Sequence, residues 1–515
     1  MELSHDICYR ALRTRDARFD GRFFTGVTST GVYCRPICPA RTPQASHCTF
    51  FACAAAAEEA GFRPCRRCRP ETAPGTPAWR GTSVTVSRAL RLIEDGALDD
   101  AGVEDLAGRL GMGDRHLRRL FAEHLGASPL AIAQTRRVHF AKRMIEETTL
   151  SMTRIAFAAG YQNVRRFNAA IRQSFDSTPS EIRGRIHTAG SSGSSSSRKG
   201  TVALRLSYRE PFDWNGLLDW MRPRAIPGVE QVEGRVYRRS VSMDPFHGVI
   251  ELEPAPRKAA ALILRAPVEA APILLPMADR ARALCDLSAD PTLIMTQLSA
   301  DPLLADAADR YPGLRVPGCW DRFELAVRAV LGQQVTVAGA TRLAGKLVSR
   351  FGLSHARLYK GQDVPARSPG YPCRFFPHPE DLADADIAAI GMPAARARTI
   401  RTLARALCDG EPILELAPDL DTAIERLTAL PGIGDWTAQY IAMRALREPD
   451  AFPAGDLGLQ KALASAFDRA GDRSAGQRPS IVSLRERAEV WRPWRAYAAM
   501  LLWRTLTPPP RKDPQ

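Results

Sequence analysis

The chain has 515 residues, more than one hydrophobic core fills, so roughly three to four domains are expected. Its formal net charge is +15, and the excess lies at the front: 30 Lys/Arg against 19 Asp/Glu in residues 1–200, but 41 against 37 in residues 201–515. That balance suits a polyanion bound through its phosphates, while no apolar run of spanning length and no basic amphipathic helix speaks for a membrane.

The N-terminus lacks a basic stretch followed by an apolar one, so the expected compartment is the cytoplasm, where thiols stay reduced. Seven of the eleven cysteines precede residue 70, which then points to metal ligation or reactive chemistry rather than disulfides. Cys34 and Cys38 form C-x3-C, Cys65 and Cys68 form C-x2-C, and 26 residues separate the pairs. Two such pairs supply the four soft donors of a tetrahedral Zn2+ site. Arg35, Arg41, Arg63, Arg66, Arg67 and Arg69 surround the quartet, more charge than a purely structural zinc needs, and Arg35, Arg63, Arg66 and Arg67 are the expected DNA contacts there. A zinc-held thiolate stays deprotonated and nucleophilic at neutral pH, so the site is either a structural staple or a reactive centre. His47, Cys48 and Cys53 lie in the gap and are read as packing residues, because the tetrahedron is already filled; Cys8 has no partner at ligand spacing.

An internal repeat follows. Leu106, Ala107, Gly111, Leu117 and Pro129 recur as Ile155, Ala156, Gly160, Phe167 and Pro179, an offset of 49 to 50 residues. Each copy reads as helix, glycine turn, helix, the layout of a helix-turn-helix. The second helices carry Arg115, Arg118 and Arg119 in one copy and Arg165, Arg166, Asn168 and Arg172 in the other, with Asp114 expected as the N-cap of the first. A helical bundle with a solvated basic face is the plainer alternative.

Residues 83–185 resemble the DNA-binding domain of the AraC family of transcription activators, with Asp176 where that family usually has glycine. With the runs Thr-Gly-Val-Tyr-Cys-Arg-Pro-x-Cys-x-Ala-Arg and Gly-Phe-Arg-Pro-Cys-x-x-Cys, the front half resembles the N-terminal half of Ada-type adaptive-response proteins. That resemblance implies that Cys34 accepts a methyl group from a DNA methylphosphotriester, once and irreversibly, and that the protein then activates transcription, with double-stranded DNA and RNA polymerase as partners. Methylating one of four thiolates lowers the formal charge of the centre from about −2 to about −1, which weakens repulsion from phosphates. The second acceptor of such proteins, in a Pro-Cys-His-Arg motif, is not expected, since the nearest string, at Pro372-Cys373-Arg374, lacks the histidine.

The stretch 190–200, mostly serine and glycine, reads as a flexible tether. Beyond it, 202–208, 235–241 and 261–265 alternate apolar and polar residues as antiparallel strands do. From about 291 the spacing turns helical, as in 323–351, 394–408 and 423–430. The run Leu430-Pro-Gly-Ile-Gly-Asp-Trp436 is a helix-hairpin-helix signature: Gly432 and Gly434 let backbone amides at a helix N-terminus approach a phosphate. Many DNA-binding proteins use that hairpin without chemistry. Here an acid, Asp456, follows Gly434 by 22 positions. An ionised carboxylate in a dry pocket stabilises the positive charge that builds on a sugar as a glycosidic bond breaks; the bland reading of Asp456 is a helix N-cap.

Residues 201–506 resemble the AlkA type of helix-hairpin-helix 3-methyladenine DNA glycosylase. The resemblance implies that Asp456 is catalytic and that Trp436, Tyr440 and Trp503 line the pocket for the extruded base; each could also be core filler. Trp436 stands where strand-nicking relatives carry lysine, which implies a monofunctional glycosylase, and no cysteine follows Cys408 to build an iron–sulfur cluster. The family wedges a bulky side chain into the duplex at the place held here by Gln334, a polar residue.

The expected fold is multidomain α+β. It comprises a small zinc-binding α/β methyl-acceptor domain (1–80), an all-α AraC-type double helix-turn-helix (81–188), a linker (189–200), an antiparallel β-rich glycosylase domain (201–290), a helical helix-hairpin-helix domain (291–507) and a disordered tail (508–515). The expected function is DNA alkylation repair by methyl transfer and base excision, coupled to transcription activation, by a monomer. A transcription regulator with an inactive glycosylase-like module is one rival; a glycosylase whose front half is only a zinc-stapled targeting domain is another.

Overall fold

In a computed structural model of the chain, residues 4–74, 84–99, 101–188, 200–256, 259–354, 370–470 and 480–506 are described. The expected linker, up to residue 199, and the expected tail lie outside them. The chain divides into two compact units: residues 1–209, 241–282 and 287–289, and residues 210–240, 283–286 and 290–515. The strand-rich stretch 201–267 is shared between them.

The first unit opens with a four-stranded sheet in the order β3-β1-β2-β4, built from β1 (Phe24–Val27), β2 (Val32–Cys34), β3 (Cys48–Phe51) and β4 (Arg63–Pro64). The β1–β2 hairpin pairs Val27 with Val32, and Gly31 at φ +64° supplies the left-handed residue that the turn needs. Phe24, Tyr33 and Ala57 form a buried cluster between the sheet and the helix Ala54–Glu59.

Two helix pairs follow. Val103–Arg109 precedes Asp114–Leu125, and Met152–Ala158 precedes Val164–Phe175, with the long helix Pro129–Glu147 between the pairs. The second helices bury Leu117, Phe121 and Leu125 in one copy and Phe167, Ile171 and Phe175 in the other, the same i, i+4, i+8 stripe. Their starts differ. Asn163 caps the second copy through the Arg166 amide at 2.8 Å, whereas the first is capped by Gly113; Asp114 sits inside the first turn and takes the Arg118 Nε at 3.3 Å instead of a backbone amide. The expected Asp114 cap is therefore corrected.

The connecting helix also holds the metal-binding segment. Tyr33 donates to Glu58 at 2.8 Å, His139 Nε2 lies 2.8 Å from the same carboxylate oxygen, Thr135 donates to the other at 2.8 Å, and Lys142 lies 2.6 Å from the buried Glu71. Removing one partner of such a buried pair strands a charge, at a cost of roughly 3–5 kcal/mol. Further along, β5 (Thr201–Ser207), β9 (Ala261–Pro267) and β8 (Phe246–Pro254) form an antiparallel ladder with β9 in the middle.

The second unit contains β6 (Glu230–Glu233) and the part of its antiparallel partner β7 (Val236–Met243) up to residue 240, the helix Trp214–Met221 and a helical array that begins with Pro291–Leu298. Of these strands, β6 and β8 were not among the three read from alternation; β6 is Glu-Gln-Val-Glu, with too little apolar character to register. The single helical run expected over 323–351 is two helices, Arg322–Leu331 and Val337–Phe351, broken at 332–336.

Both second helices of the repeat end on a left-handed residue, Gly126 at φ +69° and Asp176 at φ +49°. Asp176 carries the strain and takes an ion pair from Arg63 at 2.6 Å. Asp176→Gly should unfold later than Asp176→Ala by about 1 kcal/mol in the urea transition of this unit, because both lack the pair and only glycine relieves the backbone.

Candidate functional sites

Strand pairing assembles the sulfur cluster. β2 delivers Cys34, a turn closed by the Cys38 amide on the Arg35 carbonyl (3.1 Å) delivers Cys38, and the parallel β4 delivers Cys65, whose amide donates to the Tyr33 carbonyl at 2.9 Å. Arg69, left-handed at φ +52°, donates its amide to the Cys65 carbonyl at 3.0 Å and closes the loop around Cys68. All four Sγ atoms lie within 4.8 Å of one another, and the four residues are buried. A tetrahedral Zn2+ with bonds of about 2.3 Å sets its sulfurs roughly 3.8 Å apart, so the quartet fits that ion. Four thiolates this close repel one another strongly unless a dication stands among them. Cys48 Sγ donates to the Gln44 carbonyl and Cys53 Sγ to the Leu125 carbonyl, and both stand outside the cluster as packing residues.

The arginines around the cluster part company. Arg35 turns inward: its guanidinium pairs with Asp20 and donates to Thr72 at 2.8 Å and to the Cys68 carbonyl at 3.2 Å, leaving only 13% of its side chain exposed. It braces the loop and is corrected as an expected DNA contact. Arg69 is held by Glu71 and Glu146. Arg63, Arg66 and Arg67 are exposed; Arg63 reaches Asp176 and Arg66 reaches Ser177 at 3.4 Å, both in the turn that ends the second reading helix. On the reading helices, Arg115, Arg118, Arg119, Arg165 and Arg166 are all exposed, on the side away from the buried stripes.

In the second unit a cavity of about 1180 Å³ is lined by Trp436, Tyr440, Asp456 and Trp503, together with residues of the helix Trp214–Met221 and the 332–336 break. Asp456 precedes the helix Leu457–Ala470, and its Oδ1 accepts from the Leu459 amide at 3.0 Å, so the N-cap reading holds. Capping is only part of its environment. Trp503 Nε1 donates to the same oxygen at 2.8 Å and Trp436 Nε1 donates to Oδ2 at 3.1 Å. Two indoles thus grip both oxygens of a half-buried carboxylate that lines the cavity. Trp436 stacks on Tyr440 with ring centres 5.5 Å apart, and Tyr440 meets Trp503 edge-on at 6.5 Å. Burial works to raise the Tyr440 phenol, but Arg444, 2.7 Å from its oxygen, and the nearby Arg224 and Arg328 overrule it, and its pKa lies below the usual tyrosine value.

The hairpin sits beside this cavity. Gly432 has φ +89°, and a Cβ there would stand 1.9 Å from Thr399 Oγ1, so packing demands glycine. Gly434, the N-cap of the helix Asp435–Arg444, would place a Cβ in open space; nothing inside the protein demands glycine there. Gln333 clips the broken-helix loop to the hairpin through the Gly432 carbonyl and Thr437, each at 3.0 Å, and Gln334 is exposed in a left-handed conformation at φ +55°. Sequence reasoning missed Trp220 and Arg224 in the cavity wall. The signal was available: Trp220 falls off the buried face formed by Trp214, Leu217, Leu218 and Met221.

Four families match consecutive parts of the chain: the metal binding domain of Ada over residues 7–71, a helix-turn-helix domain over 106–185, the AlkA N-terminal domain over 203–321, and the HhH-GPD superfamily of base excision DNA repair proteins over 327–479. A Mycobacterium tuberculosis protein described as a "probable bifunctional transcriptional activator/DNA repair enzyme AlkA" is 42% identical over 507 residues, 98% of this chain and 97% of the relative. The Escherichia coli DNA-3-methyladenine glycosylase 2 is 33% identical over 304 residues, 58% of this chain and 96% of that protein. The Escherichia coli bifunctional transcriptional activator/DNA repair enzyme Ada is 34% identical over 158 residues, 30% of this chain and 43% of that protein.

The two hairpin glycines should separate on substitution. Gly434→Ala should change stability by less than about 1 kcal/mol yet weaken binding to duplex DNA, whereas Gly432→Ala should destabilise by more than about 2 kcal/mol through strain and the Thr399 clash. Thermal melting and filter binding of both variants read the difference.

Proposed function

The chain belongs to the family of bifunctional transcriptional activators and DNA repair enzymes, and from that membership we propose two activities for it. The front half takes methyl groups from DNA methylphosphotriesters onto Cys34 and then activates transcription; the rear half hydrolyses the glycosidic bond of alkylated bases such as 3-methyladenine. DNA is the common partner. Among the described residues no helix is long and apolar enough to cross a membrane.

One observation carries the choice of Cys34. The Arg35 amide donates to Cys68 Sγ at 3.4 Å, and backbone donors at Ala40 and Cys68 face Cys38 and Cys65. A donor draws charge off a sulfur and blunts it, which supports Cys34 as the nucleophile of the four. Zn2+ held by the quartet keeps the sulfurs deprotonated at neutral pH. Cys34 Sγ attacks the methyl carbon, an S–C bond forms as the C–O bond breaks, and the oxygen leaves with the pair as an ordinary phosphodiester. Arg63, Arg66 and Arg67 flank the substrate phosphate, and Arg115, Arg118, Arg119, Arg165 and Arg166 follow the promoter groove. Since one chain supplies both reading helices, we assign monomeric binding; an activator role calls for contact with RNA polymerase, and free thiolate ligands suit a reducing compartment such as the cytoplasm.

For the rear half the carrying observation is the doubly held Asp456. Its charge faces the sugar that turns positive as the C1′–N bond opens, and fixed N–H donors spare it any reorganisation at that moment. Trp436, Tyr440 and Trp503 supply faces for an electron-poor base, and the amides at Gly432 and Gly434 grip the backbone. Water then adds its oxygen to C1′ and gives up a proton to solvent, since a base alkylated on a ring nitrogen leaves neutral and needs none.

Asp456→Asn should lower 3-methyladenine release by at least about 10²-fold while duplex binding is retained, and Trp503→Phe, which keeps a ring but loses the N–H, should lower kcat more than it raises KM. Unchanged release by Asp456→Asn would remove that residue from the chemistry, and no release by the unaltered protein would favour the inactive-module rival. For the front half, mass spectrometry after exposure to methylated DNA should find one added methyl on Cys34 and none in Cys34→Ser. A methyl-free Cys34 in the unaltered protein would instead favour the targeting-domain rival.

A further inference from the structure

The serine- and glycine-rich stretch 190–200, taken alone, implies two halves joined only by a tether, yet within the first compact unit the front half lies against strands of the rear half. The long helix Pro129–Glu147 makes this seam with side chains on two neighbouring stripes. Thr135, His139, Lys142 and Glu146 form the first stripe: Thr135 and His139 hold Glu58, Lys142 holds Glu71, and Glu146 takes Arg69, all in the metal-binding segment. Arg136, Arg143 and Glu147 each follow a member of that stripe by one residue, so they form a second stripe turned by about 100° around the helix. The second stripe meets the rear half. Arg136 donates to the Glu94 carbonyl at 3.0 Å and faces Asp99 at 3.4 Å on the front side, and its Nη2 also pairs with Asp279 on the helix Leu274–Leu284. Arg143 donates to the Arg205 carbonyl, and Glu147 accepts from the Arg205 amide at 3.2 Å. Arg205 lies in β5, an edge strand paired with β9 on its other side, so the two side chains take up backbone groups that such an edge otherwise leaves open. Just past β5, the buried Arg209 reaches the carbonyls of Ser288 at 3.3 Å and of Pro74 at 3.5 Å, the latter where the metal-binding segment ends.

Burial raises the Asp279 carboxyl, and Arg136 and Arg282 pull against it without prevailing. Desolvation thus offsets much of the attraction in the Arg136–Asp279 pair, which fixes where two surfaces meet more than it adds affinity. From residue 136 to residue 147 the stripe runs about 16 Å along the helix axis, long enough to set an angle as well as a point of contact. We propose that the strand-rich segment of the rear half is the docking surface for the front half, with the helix Pro129–Glu147 as the strut, and that the two halves hold together through this seam rather than through the tether. The metal-binding segment and the sheet then grip one helix on adjacent stripes, and DNA held by the reading helices is held by a body that includes strands of the rear half. Domains that share only a flexible linker behave otherwise: the linker alone supplies their effective concentration, and they part once it is cut.

The test cuts the tether and leaves the seam. A protease recognition sequence is inserted between Ser194 and Ser195 of the full chain, the folded protein is cleaved, and sedimentation over a dilution series reads the affinity of the two pieces for each other. The pieces should stay together at about 1 µM, within the range of a specific interface. Asp279→Arg should weaken their association at least tenfold, because it sets two guanidinium groups face to face, and adding Arg136→Met should recover at least threefold of that loss. A helix that had merely misfolded would not be repaired from across the seam. If Asp279→Arg gives no folded chain, Arg143→Ala, which removes the donor to the Arg205 carbonyl, is read against the same tenfold limit. Pieces of otherwise unaltered sequence that separate at about 1 µM overturn the proposal, as does a loss below tenfold or one that Arg136→Met leaves untouched. Neither chemistry enters the readout, so failure of methyl transfer or of base release leaves this test standing.

Discussion

Two indole N–H groups closing on one carboxylate organise the rear half of this protein. Trp436 arrives on the helix that begins at the hairpin, Trp503 on the helix Arg495–Thr505, and Asp456 at the start of Leu457–Ala470. Three helices from distant parts of the sequence must therefore be in register before the acid is correctly held. The Leu459 amide adds a third donor, so the N-cap role and the chemical role draw on the same local geometry. A carboxylate that caps its helix gains orientation from the backbone, and the indoles add an aromatic wall beside it. This economy explains why the hairpin cannot be read as grip alone: the residue two places after Gly434 is itself a ligand of the acid.

Much of this was legible in the sequence, for physical reasons that differ by site. Metal ligands obey a spacing rule because two short turns must each present two sulfurs, so the quartet could be named without a fold. The repeat of the reading helices was visible because a buried i, i+4, i+8 stripe leaves an apolar signature at a fixed offset. Arg35 was misjudged because charge density in a sequence does not say which cations face outward; Asp20, fifteen residues earlier, takes that guanidinium. Asp114 was misplaced by one position, the ordinary uncertainty of a helix start. Trp220 and Arg224 were missed because their segment was read only for strand alternation, although Trp220 falls off the buried face of its helix.

The glycines show the same division between packing and function. Gly432 and Gly434 are two residues apart and look alike in a motif, yet one is required by Thr399 and a positive φ while the other borders open space. A sequence pattern records both demands in one letter. Only the surroundings separate a glycine that the fold needs from one that a ligand needs.

The two proposed chemistries meet in how they treat charge. In the front half four sulfurs crowd within 4.8 Å, and adding a methyl group removes one formal negative charge from a module whose Arg63 and Arg66 already touch the turn after the second reading helix. The sulfur centre and that helix are thus joined by direct contacts within one unit, so a change in charge at the cluster alters the attraction of the same body for phosphates without any moving part. In the rear half the sign is reversed. A fixed carboxylate meets a sugar that becomes positive. An alkylated base calls on that carboxylate alone, because the lesion has already supplied the leaving group, and Trp220 and Trp503, 5.6 Å apart, form the aromatic wall beside it.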